Sequence, residues 1–164
     1  MDIISHGLWG GVAFGRKSKK LFWASFAIGV APDLLSFGIY MAGDALGLVS
    51  GPDWGQHPPA PSSIAPFVYS LYNFTHSLVI FALVFCLVWL WLKKPFLPLL
   101  AWGLHILVDI PSHSTAFFPT PFLWPVSDFV FNGVSWGEPA IFYPNVILLL
   151  VCYAGWFVLK KKII

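Results

Sequence analysis

A chain of 164 residues that is 58% hydrophobic and 10% charged, with a mean hydropathy of +0.78, has too few polar groups to cover a soluble globule and room for one compact unit, so a bilayer is its expected solvent. The net charge of +2 does not point to nucleic acid, because no basic stripe interleaved with aromatic residues occurs. The nine cationic residues fall in three clusters: Arg16, Lys17, Lys19 and Lys20; Lys93 and Lys94; Lys160, Lys161 and Lys162.

Short segments rich in Lys and Arg stay on the cytoplasmic side of a membrane. All three clusters, and with them the C-terminus, are therefore expected inside a cell (inner) membrane. Cys86 and Cys152 stand alone in apolar runs and read as buried small hydrophobes, which excludes a disulfide framework or a thiolate metal site.

In chain order, the first 15 residues are too short to span, and their charges follow the apolar part, unlike those of a cleavable signal. They read as a short helix that stops part way through the membrane. Residues 21 to 43 are long enough to cross a ~30 Å core, with a kink at Pro32 and Asp33. Residues 44 to 66 are rich in Pro and read as an outer loop in which Asp53 and His57 are solvated. Residues 67 to 92 return, Lys93 to Pro95 turn, and 96 to 112 go back out as a helix. The loop 113 to 139, rich in Pro, Phe and Trp, is expected to pack over the outer mouth or lie in the interface. Residues 140 to 159 make the last crossing. Asp44, Asp128 and Glu138 read as loop carboxylates. The expectation is an all-α, polytopic bundle of about four transmembrane helices plus a short N-terminal one, with residues 1 to 164 as a single domain.

Five ionisable side chains lie in or beside these apolar runs: His6, Asp33, His76, His105 and Asp109. Each costs a few kcal/mol in hydrocarbon, roughly 2.5 or more per Asp, so such groups face one another, a cavity or an ion. Counting 1.5 Å per residue from the nearest Lys-rich cluster puts all five roughly 15 to 25 Å deep, a shared level. His105 and Asp109 are four apart and share a helix face, as does His113 if the helix survives Pro111. Imidazole with carboxylate suits zinc, and also manganese or iron. With His76 the pair makes a His2Asp triad. Asp33 is open to three roles: ligand, bridge to a second ion, or base toward a water. His6 would complete a second metal position. Taken singly, each of these residues also fits a hydrogen bond or an interfacial position.

His6, Pro32 with Asp33, Thr75 to Ser77, His105 with Asp109, and Leu123 to Pro125 together resemble the membrane-bound metal-dependent hydrolases. That family was long described as a domain of unknown function and is grouped with zinc-dependent phospholipase C and the single-strand-specific zinc nucleases. The resemblance covers almost the whole chain and implies a helical core and ligand roles for His6, Asp33, His76, His105, Asp109 and His113. The soluble enzymes carry a second His-and-acid pair farther on, and no His follows residue 113 here, so one or two ions are expected instead of three. Their free amino terminus also binds metal, whereas here Met1 and Asp2 precede His6. The implied activity is hydrolysis of a phosphodiester or phospholipid-like substrate in contact with the lipid bilayer. Two rivals stand beside it: a proton or cation translocator, and a non-catalytic protein with a structural metal or polar cluster.

Overall fold

In the computed structural model, residues 1–52 and 59–161 are described. Asp53, His57 and Lys162 lie outside the described residues. Helix makes up 68% of the chain and no strand forms among the described residues, so most backbone polar groups are satisfied within their own segment, as hydrocarbon requires.

The short helix α1 (Ile3–Phe14) is capped by Asp2, whose carboxylate accepts from the Ser5 amide at 2.9 Å. After a turn carrying Arg16 and Lys17, Ser18 caps α2 (Lys19–Ala45). Pro32 does not end α2. Two residues beyond it, over Leu34–Gly38, the chain widens into a π-helix, and the Ser36 hydroxyl donates to the Pro32 carbonyl at 2.9 Å. The kink expected at Pro32 and Asp33 takes this form, and a π-turn is a common way to re-aim side chains at a site. Asp44 sits in the last turn of α2, where its carboxylate accepts from the Gly51 amide at 2.7 Å.

The stretch 67 to 92 is two helices, α3 (Pro66–Thr75) and α4 (Leu78–Leu92), bent by 55°. The bend arises at His76 and Ser77: His76 closes α3, and the Ser77 hydroxyl accepts from the amides of Val79 and Ile80, capping α4. Lys93 in the left-handed region ends α4, and a 3-10 turn leads into α5 (Leu100–Ser112). The final helix is α6 (Pro139–Lys161).

By length and apolarity α2 and Pro139–Leu159 qualify as membrane spans, and the bent pair α3 and α4 makes a third if the two helices count as one span. The fourth expected crossing, Leu97–Ser112, is helical and apolar but shorter. Among the described residues more polar than apolar ones are fully buried, while α4 buries none of its residues and Trp91 is 80% exposed. The protein is thus polar within and greasy without, the reverse of a soluble bundle. Cys86 belongs to that exposed exterior and Cys152 is half-buried, so neither is the buried residue expected; both are free thiols.

Helices α1 and α2 pack most closely, both rest on α5, and α6 leans on α1. Small residues allow this approach. A Cβ on Gly10 would stand 2.6 Å from the Ser25 carbonyl oxygen, and one on Gly29 would stand 2.7 Å from the His6 carbonyl oxygen. The loop 113–138 folds back on the bundle: Val134 donates to the Pro111 carbonyl and Leu78 to the Phe122 carbonyl, each at 2.9 Å, and Ser77 donates to the Trp124 carbonyl. Phe118 joins Tyr40, Val68 and Tyr72 in an aromatic core at the end of the bundle away from Arg16–Lys20.

Candidate metal centre

Four helical segments deliver the polar residues to one point. Asp33 comes from the residue just before the π-turn, His76 from the α3–α4 break, and His105 and Asp109 from successive turns of α5. Each of these four offers a ligand atom, and the four atoms lie within 4.8 Å of one another; all four residues are buried. The fourth segment, α1, brings His6, whose ring stacks on that of His105 with centroids 3.6 Å apart.

The spacing fits a cation. Ligand atoms arranged tetrahedrally at ~2.1 Å from a common ion stand about 3.4 Å from one another. Nε2 of His76 and Nε2 of His105 are 3.0 Å apart. His105 Nε2 is 3.2 Å from Asp109 Oδ2 and 3.8 Å from Asp33 Oδ1, and His76 Nε2 is 3.4 Å from Asp33 Oδ1 and 3.6 Å from Asp109 Oδ2.

Backbone carbonyls fix the tautomers. A carbonyl only accepts, so an imidazole nitrogen facing one must carry the proton. His105 Nδ1 donates to the Gly29 carbonyl at 2.8 Å; His76 Nδ1 lies 2.9 Å from the Thr75 hydroxyl, whose own proton goes to the Leu71 carbonyl, and 3.2 Å from the Tyr72 carbonyl. In their neutral forms both rings therefore turn an Nε2 lone pair inward. An outward N–H held by a carbonyl is the usual support of a metal-ligating His. His113 follows suit, its Nδ1 donating to the Phe118 carbonyl at 2.8 Å.

Asp109 divides its two oxygens. Oδ2 faces His76 and His105, while Oδ1 lies 3.0 Å from His6 Nε2 and 3.4 Å from His113 Nε2 and contacts the Met1 amino group. The helix does continue through Pro111 to Ser112, which keeps His113 beside Asp109. Asp33 Oδ2 is buried with no hydrogen-bond partner. Orphaned polar atoms of this kind are rare in a folded interior and call for an occupant. The group can hold a metal ion, and all six residues singled out in the sequence converge on it.

Sequence reasoning missed the supporting shell. Tyr72 stacks on His76 with centroids 3.8 Å apart, and its hydroxyl donates to the Phe118 carbonyl at 3.1 Å. A carbonyl ligand-holder such as that of Gly29 has no side-chain signature to read. Asn145, buried in α6, was also missed: its amide donates to Ser5 Oγ and its oxygen accepts from Trp9 Nε1, both at 2.8 Å. The signal existed, since a buried Asn in a transmembrane run usually bonds across helices.

A cavity of about 420 Å³ opens beside the cluster, with Asp33 and His113 in its wall. Comparison with family models, with curated proteins and with solved structures finds no match for the chain.

Proposed function

We propose that the chain is a membrane-embedded, metal-dependent hydrolase, similar to the membrane-bound metal-dependent hydrolases, that cleaves a phosphodiester or phospholipid-like ester. The observation that carries the reading is the inward-facing pair of Nε2 lone pairs, joined by two carboxylates and open to a cavity at Asp33. His76, His105, Asp109 and Asp33 would hold the first ion, with zinc the best fit to two imidazoles and carboxylate oxygens. His6, His113 and Asp109 Oδ1 would hold a second only by displacing the Met1 amino group, which contacts Asp109 and lies 3.0 Å from His113 Nε2. A divalent ion there supplies Lewis acidity, which acidifies water toward neutrality and offsets negative charge on a phosphoryl oxygen.

The protein's own groups do the rest. Asp33, with Oδ2 unpartnered and a place in the cavity wall, accepts a proton from the attacking water. The water oxygen bonds to phosphorus, the P–O bond to the leaving alcohol breaks, and the proton held at Asp33 passes to that alcohol. The carbonyls of Gly29, Tyr72 and Phe118 keep the imidazoles in register throughout. The Lys-rich turns and the C-terminus lie on the cytoplasmic side of an inner membrane, in keeping with the charge distribution, and the cavity lies toward the opposite face.

Purified protein loaded with Zn²⁺ should release p-nitrophenol from p-nitrophenyl alkyl phosphodiesters, and His105→Ala should not. Bound metal without turnover of any ester would leave a structural centre. Ion flux in proteoliposomes, lost in Asp33→Asn and indifferent to chelators, would favour translocation.

A further inference from the structure

The cavity next to the cluster is chemically one-sided. Its wall includes Phe37, Met41, Phe117 and Trp136, together with Asp33 and His113 of the cluster. No Lys or Arg lines it, and the sequence places none between residues 21 and 92 or between 95 and 159. Its charged side chains are the acids Asp2 and Asp33, and its one cationic group, the Met1 amine, is already paired with Asp109. Asp2 is in turn occupied by the Ser5 amide and hydroxyl. An anionic group standing in this cavity away from the metal cluster would have no counter-charge, and an unpaired ion in a low-dielectric site binds poorly.

We propose that the cavity receives an apolar, uncharged arm of the ligand, so that the site selects amphiphilic monoanionic phosphodiesters and rejects esters that carry a further anionic group on that arm. The phosphodiester end of the ligand rests on the hydrolase reading, whereas the preference for an uncharged arm stands on the cavity lining. The cavity volume lies within the range of small-molecule sites, and a hexyl chain fits the aromatic wall. Each methylene taken up should tighten binding about threefold to fourfold.

The test uses binding, apart from turnover. O-methyl alkylphosphonates with methyl, butyl and hexyl arms, and a 5-carboxypentyl analogue, are titrated calorimetrically into the full chain, zinc-loaded, in lipid nanodiscs, with protein-free discs as the blank. Affinity should rise from methyl to hexyl, and the carboxylated arm should bind at least about tenfold more weakly than hexyl. Met41→Trp, which narrows the cavity at a wall residue outside the metal cluster, should erase the chain-length gain and leave the metal content unchanged. A flat series, no binding of any member, or equal binding of the carboxylated arm overturns the proposal. Binding in the expected order by protein that hydrolyses no p-nitrophenyl ester supports the proposal and removes the hydrolase reading. Hydrolysis without that order removes the proposal alone.

Discussion

His105 and His76 meet Nε2 to Nε2 at 3.0 Å, with Nδ1 of His105 held by the Gly29 carbonyl and Nδ1 of His76 by the Thr75 hydroxyl and Tyr72 carbonyl. Two lone pairs aimed at one point repel unless a positive charge lies between them. Loading with Zn²⁺ should therefore stabilise the fold, by about 2.7 kcal/mol when free ion is a hundred times the dissociation constant. Thermal melts in detergent with Zn²⁺ and with chelator measure the difference. It should vanish in His76→Ala, and a wild-type melt unmoved by either addition would speak against a bound ion.

Asp33 is the one member of the four-residue group that also lines the cavity. Asp33→Asn keeps an oxygen ligand but removes the base. Metal content should stay near that of the wild type while turnover of the phosphodiester falls by about a hundredfold or more. Unimpaired turnover would remove Asp33 from the chemistry.

Gly29 serves twice, since its missing Cβ lets α1 approach and its carbonyl orients His105. A methyl there meets backbone, which has no rotamer by which to yield. Gly29→Ala should cost about 1–3 kcal/mol of stability and weaken metal binding by roughly 10- to 100-fold through the displaced carbonyl. A variant with native metal affinity would show that the carbonyl contact is dispensable.

Asn145 ties α6 to α1 well away from the metal ligands in sequence, through Ser5 and Trp9. Asn145→Ala should cost about 0.6–1.7 kcal/mol, the range for interhelical bonds in membranes, and leave metal stoichiometry unchanged. Metal loss in this variant would mean that α6 helps to shape the centre.

Much of this site was legible in the sequence because hydrocarbon makes polar residues conspicuous: His6, Asp33, His76, His105 and Asp109 converge as their shared depth suggested, His113 joins them on the helix face of Asp109, and His105 Nε2 and Asp33 Oδ1 end 3.8 Å apart. Helical spacing alone joined His105 to Asp109. The 55° break at His76 and Ser77 was only half legible: the polar stretch 73 to 77 ahead of the apolar run suits a helix start, but the bend depends on the Trp124 carbonyl and the amides of α4 claiming the Ser77 hydroxyl. The π-turn after Asp33 and the carbonyl shell of Gly29, Tyr72 and Phe118 were hidden for the same reason: they belong to the backbone, and every residue type carries it. Cys86 misled because an apolar run in a membrane protein marks a lipid-facing surface as readily as a core.

The most direct measurement is elemental analysis of the detergent-purified chain beside Asp109→Ala, with size-exclusion profiles confirming that both are folded. The account predicts one or two divalent ions per wild-type chain and less than about a tenth of that in the variant, because Asp109 alone faces both groups of imidazoles. A metal-free wild type after exposure to zinc, or a folded variant that keeps its full complement, would contradict it.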